Sequence, residues 1–525
     1  MLYGLPGDPF YNLWVFAQLI GAKLKVAYPI GNPNPNHILL PTQPFLDFES
    51  QLLTRLFGVT SAYNLIIILS FVLTFLAGYL LANKLFKNKL AAVFSAAIIT
   101  FLPYRIAQTK VHISLASTHW LIFSLYFLIA LWKKPNFKNS LLLAIFSAVT
   151  LLDNFQYGFF LAAIAGVFLL YSLFWSLAAK KTKLWSRFLL WGAVAAAITF
   201  ALAVLFDPII IKGPQNMGPT RDTSELTVYS AHGFYYLLPS PELKFFSEFK
   251  AQRFQYLLDT LKTNTIEQTL YLGWIPLILA LASLAGVKKI KEKFWYVFVW
   301  VLFLTGAFFS FAPTITLGPF KINTPAFYIF KVLPQIRVYS RFGFLSGVAI
   351  ALLAGYFLAG LSAKIKNKSA TYLFAFSLLI LSLICFCPAT VSFQNVNQIP
   401  NIYDNLKKLP VGPLVEYPLL PADEPLSYDY LVAQIKHHFS LVYGATPASE
   451  GDKLRRELLD PSSAQTITRL KELGVKYIIV HGDKYTPELI RKYPAELTDG
   501  KIPEIKNQNV ELINCNEQKC LYKIK

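Results

Sequence analysis

Residues 59–83 read VTSAYNLIIILSFVLTFLAGYLLAN, an apolar run long enough to cross a bilayer as a helix. Nine more apolar runs follow, at 90–104, 113–132, 139–152, 157–178, 187–206, 268–287, 294–312, 342–363 and 370–391. Hydrophobic residues make up 55% of the 525 residues and charged residues only 15%, against roughly 25% in soluble domains. The pattern predicts an α-helical polytopic membrane protein with about ten spans.

Most of the net charge of +20 lies in five short loops that alternate along the chain. They separate runs 1 and 2, 3 and 4, 5 and 6, 7 and 8, and 9 and 10, and hold seventeen cations against one acid, Glu292. The cations are Lys84, Lys87, Lys89, Lys133, Lys134, Lys138, Lys180, Lys181, Lys183, Arg187, Lys288, Lys289, Lys291, Lys293, Lys364, Lys366 and Lys368. Because cytoplasmic loops are enriched in Lys and Arg, every second loop is predicted to be cytoplasmic. The charge therefore indicates orientation in a plasma membrane rather than a nucleic-acid partner.

The opposite face is predicted to carry the long polar segments. These are a first loop with interfacial helices at 1–58, loops near 207–267 and 313–341 within a transmembrane bundle of 59–392, and a tail of 393–525. Strand-like segments at 415–417, 477–480, 510–513 and 521–524 and a helix at 463–473 predict a small extracytoplasmic α/β domain in the tail. An even span count also places residue 1 outside, so we expect a further N-terminal span, about eleven in all, to precede it.

Four cysteines occur, and two of them flank a predicted hairpin turn. Cys515 and Cys520 would face each other across that turn, as a disulfide in an oxidising compartment or as two thiols. Cys385 and Cys387 lie within the last apolar run and are interpreted as packing residues. Sequence patterns of the common soluble zinc and nucleotide sites do not occur.

Three acids precede the first apolar run. Asp8 stands in Gly7-Asp8-Pro9 and is either a helix N-cap followed by proline or a carboxylate held at the membrane surface as a base or metal ligand. The stretch behind it could lie flat in the outer interface. Asp47 and Glu49 are either a solvated helix face or further acceptor or metal ligands.

Several charged residues lie at the predicted outer ends of the runs. Arg105, Lys110 and His112 fall between runs 2 and 3, and Asp153 ends the short fourth run. Charges at such depth are costly and are usually functional or paired, although snorkelling from a short helix is the alternative. Arg337 and Arg341, four apart, could share a helix face and bind a phosphate with forked donors, or could be interfacial anchors. Arg221, Glu225 and Glu267 complete the set of candidates in the long loop.

The order of these short motifs resembles bacterial multi-span glycosyltransferases of the GT-C superfamily, which includes the protein mannosyltransferases and the lipid A aminoarabinose transferases. It comprises Gly7-Asp8-Pro9 with Trp14, Pro103-Tyr104-Arg105 with His112, Arg221 with Glu225 and Ser230-Ala231, Tyr271-Leu272-Gly273, and Arg337 with Ser340-Arg341-Phe342. The resemblance covers roughly residues 4–392 and implies that Asp8 is the acid of the first outer loop, although a paired-acid motif is missing there. It also implies a first span that this sequence lacks.

The resemblance further implies transfer of a sugar from a polyprenyl-phosphate donor to a glycan, lipid or protein acceptor outside the cytoplasm. A divalent metal is a candidate cofactor, and no nucleotide is expected. Asp8 is then the expected base, and Arg105, Arg337, Arg341, Arg221 and Lys110 are the expected phosphate ligands. His112, Asp47, Glu49, Asp153, Glu225 and Glu267 are candidates for acceptor or metal contact. The rival hypotheses are a lipid or glycan transporter and a non-catalytic assembly protein of the cell envelope.

Overall fold

A computed structural model describes most of the chain, in two compact units. The described residues are 1–21, 43–208, 223–244, 264–290, 292–317, 319–334, 336–396, 401–421, 424–442, 450–494, 497, 502–516 and 518–525. One unit comprises Met1–Thr42, Asp47–Asn64 and Ser392–Lys525, and the other comprises Gln43–Leu46 and Leu65–Val391. We refer to them as the mixed unit and the helical unit.

The helical unit is built from apolar helices joined by short connections. Its described α-helices are Val59–Phe86 (which begins in the mixed unit), Lys89–Thr100, Pro103–Thr109, Ile113–Ala116, Thr118–Lys133, Phe137–Asp153, Phe155–Ala178, Thr182–Phe206, Thr223–Val228, Trp274–Ala282, Lys293–Ser310, Pro325–Val332, Gly343–Ser362 and Lys368–Phe386. Short 3-10 helices cover Gly233–Tyr236, Ser283–Lys289 and Tyr339–Phe342. Thr314–Leu317 and Phe320–Asn323 form an antiparallel hairpin.

Each predicted apolar run is helical, but fewer than ten helices have the length of a full span. Seven described helical segments are long and apolar enough to cross a membrane, and the bent pair Lys89–Thr100 and Pro103–Thr109 can form an eighth. The bend of 44° falls where proline interrupts the run, because proline has no amide hydrogen for a helix interior. The fourth run forms the 17-residue helix Phe137–Asp153, and the seventh forms the short apolar stretch Trp274–Lys288.

Close helix packing in this unit depends on small residues. The Gly343–Ser362 helix is almost wholly buried. A methyl group at Gly306 would come within 2.6 Å of the backbone nitrogen of Ser346, and one at Gly355 within 2.6 Å of the Phe86 ring. Glycine at these crossings lets the helix backbones approach, as is usual between membrane helices.

Four of the five basic loops meet at one end of the helical unit. Lys133 Nζ donates to Glu292 Oε2 at 2.6 Å and to the carbonyl oxygen of Lys84 at 3.4 Å. Asn88 Nδ2 donates to Ser362 Oγ at 2.6 Å. These contacts join the loops after runs 1, 3, 7 and 9, so the charge pattern of the sequence corresponds to a real end of the molecule.

The mixed unit contains a five-stranded sheet that the tail sequence builds. Its strand order is Leu441–Val442, Leu414–Tyr417, Tyr477–His481, Lys519–Ile524 and Val510–Asn516. The first three strands are parallel, and the last two form an antiparallel hairpin that Cys515 and Cys520 bridge as a disulfide. The helix Ala464–Glu472 ends before Gly474, whose φ of 74° suits glycine. The remaining described helices of the tail are Ile402–Leu406, Tyr428–His437, Glu450–Glu457 and Pro487–Lys492, with 3-10 turns at Pro425–Ser427 and Gly482–Lys484.

The N-terminal segment is part of this unit. Leu2–Tyr3 pairs with Phe393–Gln394 in a short antiparallel ladder. The helix Asp8–Leu19 packs on the helix Tyr428–His437, where Trp14 is 1% exposed and its Nε1 donates to Gln434 Oε1 at 2.8 Å. The expectation that this helix lies flat in a lipid interface is therefore wrong for its apolar face, because that face is buried in protein. A second helix, Pro44–Phe57, precedes the first span.

The same helix corrects the capping interpretation of Asp8. Gly7 is the N-cap, with a φ of 131°, while Asp8 is the first helical residue and Pro9 the second. A side-chain cap hydrogen bond is not formed there. The Asp8 carboxylate therefore lies in the first helical turn, where negative charge is favoured by the helix dipole.

Candidate active site

A buried carboxylate lies where four connections of the helical unit meet. The Glu267 side chain is 4% exposed and receives Arg341 Nε on Oε2 at 2.9 Å, together with a second bond from Arg341 Nη2 to Oε1. Gln108 Nε2 donates to the same Oε2 at 2.9 Å. His112 Nε2 lies 3.7 Å from Oε1. A two-pronged guanidinium–carboxylate pair of this kind is among the stronger charge-assisted contacts in proteins.

Arg341 extends the cluster to a fourth connection. Its Nη1 donates to Gln156 Oε1 at 2.7 Å, and Gln156 Nε2 donates to the carbonyl of Val338 at 2.9 Å. Gln156 is fixed at a helix start, because the Asn154 side chain accepts from the Gln156 backbone nitrogen at 3.0 Å. The cluster therefore combines residues after runs 2, 4 and 6 with one at the start of run 9. We call Glu267, Arg341, Gln108, Gln156 and His112 the Glu267 cluster.

The charge state of Glu267 follows from two opposing effects. Burial alone would raise the pKa of this carboxyl, but the Arg341 guanidinium, with His112 and Gln108, outweighs burial and lowers the pKa below its ordinary value. The carboxylate is therefore ionised at neutral pH and holds Arg341 in one orientation. Three of the five guanidinium N–H groups of Arg341 are directed at Glu267 and Gln156.

His112 and Lys110 lie beside this pair. The His112 side chain is 31% exposed, the most accessible position of the salt-bridged groups here. Lys110 is 3% exposed, and its Nζ lies 3.0 Å from Glu242 Oε2, whose side chain is 27% exposed. The predicted residues Lys110, His112, Glu267 and Arg341 thus lie in one polar region of the helical unit.

Arg105 has a different environment. It is fully buried, and its guanidinium donates to Thr118 Oγ1 at 3.1 Å, to Ser70 Oγ at 2.8 Å, and to the carbonyls of Thr100 and Ala116 at 3.0 and 3.1 Å. It also lies 4.1 Å over the Phe71 ring. Protein acceptors surround this charge, so the geometry favours a role in holding helix ends together over the expected role as a phosphate ligand.

Arg337 and Arg341 do not form the expected pair on one helix face. Arg337 precedes the Tyr339–Phe342 turn and lies 4.9 Å over the ring of Tyr229. Arg341 is directed to Glu267 instead. The reason is that the regular helix begins only at Gly343, so the spacing of four residues does not correspond to one helical turn here.

Asp8 and Asp47 both lie near Tyr11 in the mixed unit. Burial raises the pKa of the Tyr11 hydroxyl, and the negative charges of Asp47 and Asp8 raise it further. Burial also raises the pKa of Asp47 to about 7 and that of Glu49 above its ordinary value. Asp47 and Glu49 both belong to the Pro44–Phe57 helix. A carboxyl that titrates near neutral pH is suited to proton transfer.

The remaining predicted residues are Asp153, Glu225 and Arg221. Asp153 is buried at the end of the Phe137–Asp153 helix. Glu225 belongs to the short Thr223–Val228 helix. Arg221 lies outside the described residues. Among the described residues, no group of three or more His, Cys, Asp or Glu side chains could hold a metal ion.

Sequence reasoning missed the neutral partners in this region. Gln108, Gln156 and Asn154 carry no charge, and amides are common at many surface positions. Glu242 was passed over because it stands in a polar loop where a carboxylate is ordinary. Only the pairing across distant segments identifies these four residues, and a single sequence does not reveal that pairing.

The described apolar helices are those of a multi-pass membrane protein, and the fold is similar to that of a solved glycosyltransferase. Arabinofuranosyltransferase AftD from Mycobacteria, in a variant form, matches with a TM-score of 0.50 and 13% identity over 99% of this chain and 40% of AftD. The likeness shows the fold. The chain itself belongs to the family described as a domain of unknown function (DUF6311), which matches residues 42–383.

Two other solved glycosyltransferase structures match more weakly. The oligosaccharyltransferase AglB from Archaeoglobus fulgidus, in complex with an inhibitory peptide and a dolichol-phosphate, has a TM-score of 0.45 and 13% identity over 95% of this chain and 68% of AglB. ArnT from Cupriavidus metallidurans bound to undecaprenyl phosphate has a TM-score of 0.42 and 13% identity over 99% of this chain and 94% of ArnT. Curated proteins with a significant sequence match were not found.

Proposed function

We propose that this protein is a membrane glycosyltransferase that moves a sugar from a polyprenyl-phosphate donor to an acceptor outside the cytoplasm, with inversion at the anomeric carbon. The observation that carries the proposal is the Glu267 cluster. Four connections at the same end of a GT-C-like helical unit place a guanidinium and an imidazole around the Glu267 carboxylate. The Lys110 ammonium, two residues from His112, pairs with a second carboxylate, Glu242. Charges buried to this degree are costly and are retained where function needs them.

The chemistry requires positive charge at the leaving group. When the bond between the sugar and the lipid phosphate breaks, negative charge develops on the phosphate, and fixed donors near it lower the barrier. Arg341, held by Glu267 and Gln156, still has two N–H groups that can be directed at a phosphate oxygen. His112 lies next to it with an accessible edge. We assign phosphate binding to these two residues and a positioning role to Glu267.

The acceptor hydroxyl requires a base. Asp8 holds the position of the first-loop acid of the resembled superfamily, and Asp47, with its pKa raised to about 7, is close enough to influence the same tyrosine. We assign the base to Asp8 and consider Asp47, whose pKa burial raises to about 7, a second candidate base. A divalent metal at Asp8 stays a proposal that chelation can test, since carboxylate oxygens are typical ligands of such ions.

The test is transfer by the purified protein in lipid nanodiscs, supplied with radiolabelled polyprenyl-phosphate sugars and a membrane extract as acceptor source. We expect transfer by the wild type, and at least a hundredfold loss in Asp8→Asn and in Arg341→Lys, which keeps the charge but removes the fork. Asp404→Asn and Glu292→Gln are the matched controls, because each changes an exposed acid in a simple ion pair.

Two outcomes would reject the proposal. If the Asp8→Asn and Arg341→Lys variants transfer sugar as fast as the wild type, the roles assigned to Asp8 and Arg341 are wrong. Movement of the labelled lipid across the bilayer, without any sugar transfer from a full donor panel, would favour a transporter. Loss of transfer upon chelation, restored by added magnesium or manganese, would establish the metal requirement.

A further inference from the structure

The mixed unit contains a cavity that the proposed transfer chemistry does not use. Its volume is about 370 Å³, at the lower end of the range of roughly 300–1,000 Å³ for small-molecule pockets. It opens beside the last residue of the parallel strand Tyr477–His481 and the start of the helix Tyr428–His437. Crevices at the carboxyl ends of parallel strands are where open α/β sheets commonly bind ligands.

His481, one of the residues that line the cavity, contains an unsatisfied polar atom. His481 is 2% exposed, and its Nε2 lies 2.6 Å from Glu416 Oε2, which also accepts a hydrogen bond from the hydroxyl of Tyr403. The other ring nitrogen of His481, Nδ1, is buried and has no hydrogen-bond partner among the described residues. A buried polar nitrogen without a partner is destabilising, and a ligand in the cavity that His481 lines would provide that partner.

The chemistry of Nδ1 identifies the group that would pair with it. The carboxylate at Nε2 fixes the orientation of the ring, and Nδ1 is then an acceptor in neutral imidazole or a donor in the imidazolium form. A hydroxyl group can donate or accept a hydrogen bond, so it satisfies Nδ1 in both states. A carboxylate or an ammonium ion would satisfy only one of them.

The charges at the cavity opening point in the same direction. Lys484 Nζ lies 2.6 Å from Asp429 Oδ2, and Lys519 Nζ lies 2.8 Å from Asp483 Oδ2. Both lysines are mostly buried and both aspartates are about 40% exposed, at 43% and 42%. The two pairs cancel, so neither an anion nor a cation is favoured by net charge. They offer alternating donors and acceptors instead.

The walls of the cavity add apolar contact. Phe10, Tyr403, Tyr430 and Leu426 line it beside the polar groups. The Tyr430 ring stacks on His481 with centroids 5.1 Å apart, which holds both rings in place. A ligand with several hydroxyl groups and patches of C–H surface, and without net charge, fits this combination of walls and opening.

We propose that this cavity is a binding site for a neutral sugar unit of a glycan, and that it holds the acceptor glycan during transfer. The second part rests on the proposed function; the first part does not. A glycan docked by its neutral sugar would be held through Nδ1 of His481, the two ion pairs and the aromatic wall. This would make the acceptor a glycan rather than a protein side chain.

Binding can be measured without any sugar donor. The full-length protein in nanodiscs is applied to an array of biotinylated neutral, uronic-acid and sulfated oligosaccharides, and the affinity of each bound oligosaccharide is measured by calorimetry. We expect binding of at least one neutral oligosaccharide. His481→Gln retains an amide that can pair with Glu416 but removes Nδ1, and Lys484→Met removes one ion pair. Each is expected to weaken binding at least tenfold.

The control is Arg469→Met, which removes an exposed cation paired with Glu472 in the same unit and is expected to change binding less than twofold. Thermal unfolding checks that each variant folds, and Asp429→Asn replaces His481→Gln if the latter does not. Binding of none of the neutral oligosaccharides, binding of acidic ones alone, or equal affinity in all variants would overturn the site. Neutral-glycan binding in a protein that transfers no sugar would instead retain the site and reject the proposed function.

Discussion

Glu267 and Arg341 form a buried charge pair. Removing one partner of such a pair costs more stability than the intact pair contributes. Each ion loses hydration on burial, and the pair with its amide neighbours compensates for that loss. Removal of one partner leaves the other charged and without compensation. The residues are 74 positions apart, so the sequence can indicate that each is unusual but not that they meet.

The first prediction concerns the stability of this pair. Glu267→Ala should lower the free energy of unfolding by about 3–5 kcal/mol, because it leaves the Arg341 guanidinium buried. Glu292→Ala, which breaks a pair with Lys133 that is 27–38% exposed, should cost less than about 1 kcal/mol. The measurement is the midpoint of denaturant unfolding in detergent micelles.

A double variant separates structure from catalysis. Glu267→Met combined with Arg341→Met removes both charges and should recover much of the lost stability. Sugar transfer should stay absent, since the phosphate ligand is gone. Equal midpoints for Glu267→Ala and the wild type would contradict this account of the cluster.

The second prediction at this scale concerns pH. Burial raises the pKa of Asp47 to about 7 from an ordinary value of 3.8. Between these two values the folded state binds a proton that the unfolded state does not, so the contribution of Asp47 to stability falls as pH rises from about 4 to 7. Asp47→Asn should therefore stabilise the protein at pH 8 and have little effect at pH 4.

Thermal unfolding of both proteins across this pH range checks the sign. Asp404→Asn is the control, because Asp404 is 67% exposed and pairs only with a neighbour on its own helix. An Asp47→Asn variant that is less stable than the wild type at pH 8, with a difference that vanishes toward pH 4, would show that Asp47 is stabilised in its charged form instead.

At the scale of helices, the spacing of apolar residues predicts the elements, and local breaks decide their lengths. Hydropathy is a local property, so each apolar run could be recognised from the sequence alone. The bend at Pro103 and the start of the regular helix at Gly343 depend on single residues and on the neighbours they contact. That is why Arg337 and Arg341 were wrongly placed on one helix face.

Helix crossings give the third prediction. Gly306→Ala places a methyl group 2.6 Å from the backbone nitrogen of Ser346 on the Gly343–Ser362 helix, so one of the two helices must shift. We expect a loss of about 1–3 kcal/mol, as is typical of overpacking in a well-packed core. The readout is the unfolding midpoint in detergent together with the yield of folded protein.

Two other glycines of the same unit provide matched controls. A methyl group at Gly166 or Gly192 would meet no atom within 4 Å, so alanine there should be neutral or slightly stabilising. If Gly306→Ala behaves as these controls do, the close approach of the two helices at Gly306 is not needed for stability.

For the molecule as a whole, the charge pattern and the fold agree where both can be compared. Four of the five basic loops meet at one end of the helical unit through Lys133 and Asn88. The sequence also predicts four of the five strands of the tail sheet, because apolar patterns and turn signals are local, but it does not predict the two-residue strand Leu441–Val442. It could not predict that Trp14 packs 420 positions away on Gln434, since that contact depends on how distant segments fold together. It could not locate the sugar-sized cavity for the same reason.

Orientation in the membrane gives the fourth prediction. Because positive residues resist translocation, the lysine-rich loops are predicted to be cytoplasmic, and the ten predicted runs put an odd number of spans between each of them and the tail. We therefore expect cysteines at Lys87, Lys181 and Lys366 to react with a membrane-impermeant maleimide only in inside-out vesicles. Cysteines at Lys407 and Arg469 should react only in right-side-out vesicles. The background carries serine at Cys385 and Cys387, the two free thiols, and keeps the disulfide.

All five positions are exposed in the structure, so a failure to react reports on the side of the membrane and not on burial. Labelling of the tail and of the basic loops from the same side would reverse the topology on which extracytoplasmic transfer depends. It would place the sheet cavity and its sugar ligand in the cytoplasm, where nucleotide-activated sugars rather than lipid-linked ones would be the expected donors. The same labelling result therefore tests both the orientation predicted from the charge pattern and the proposed extracytoplasmic transfer.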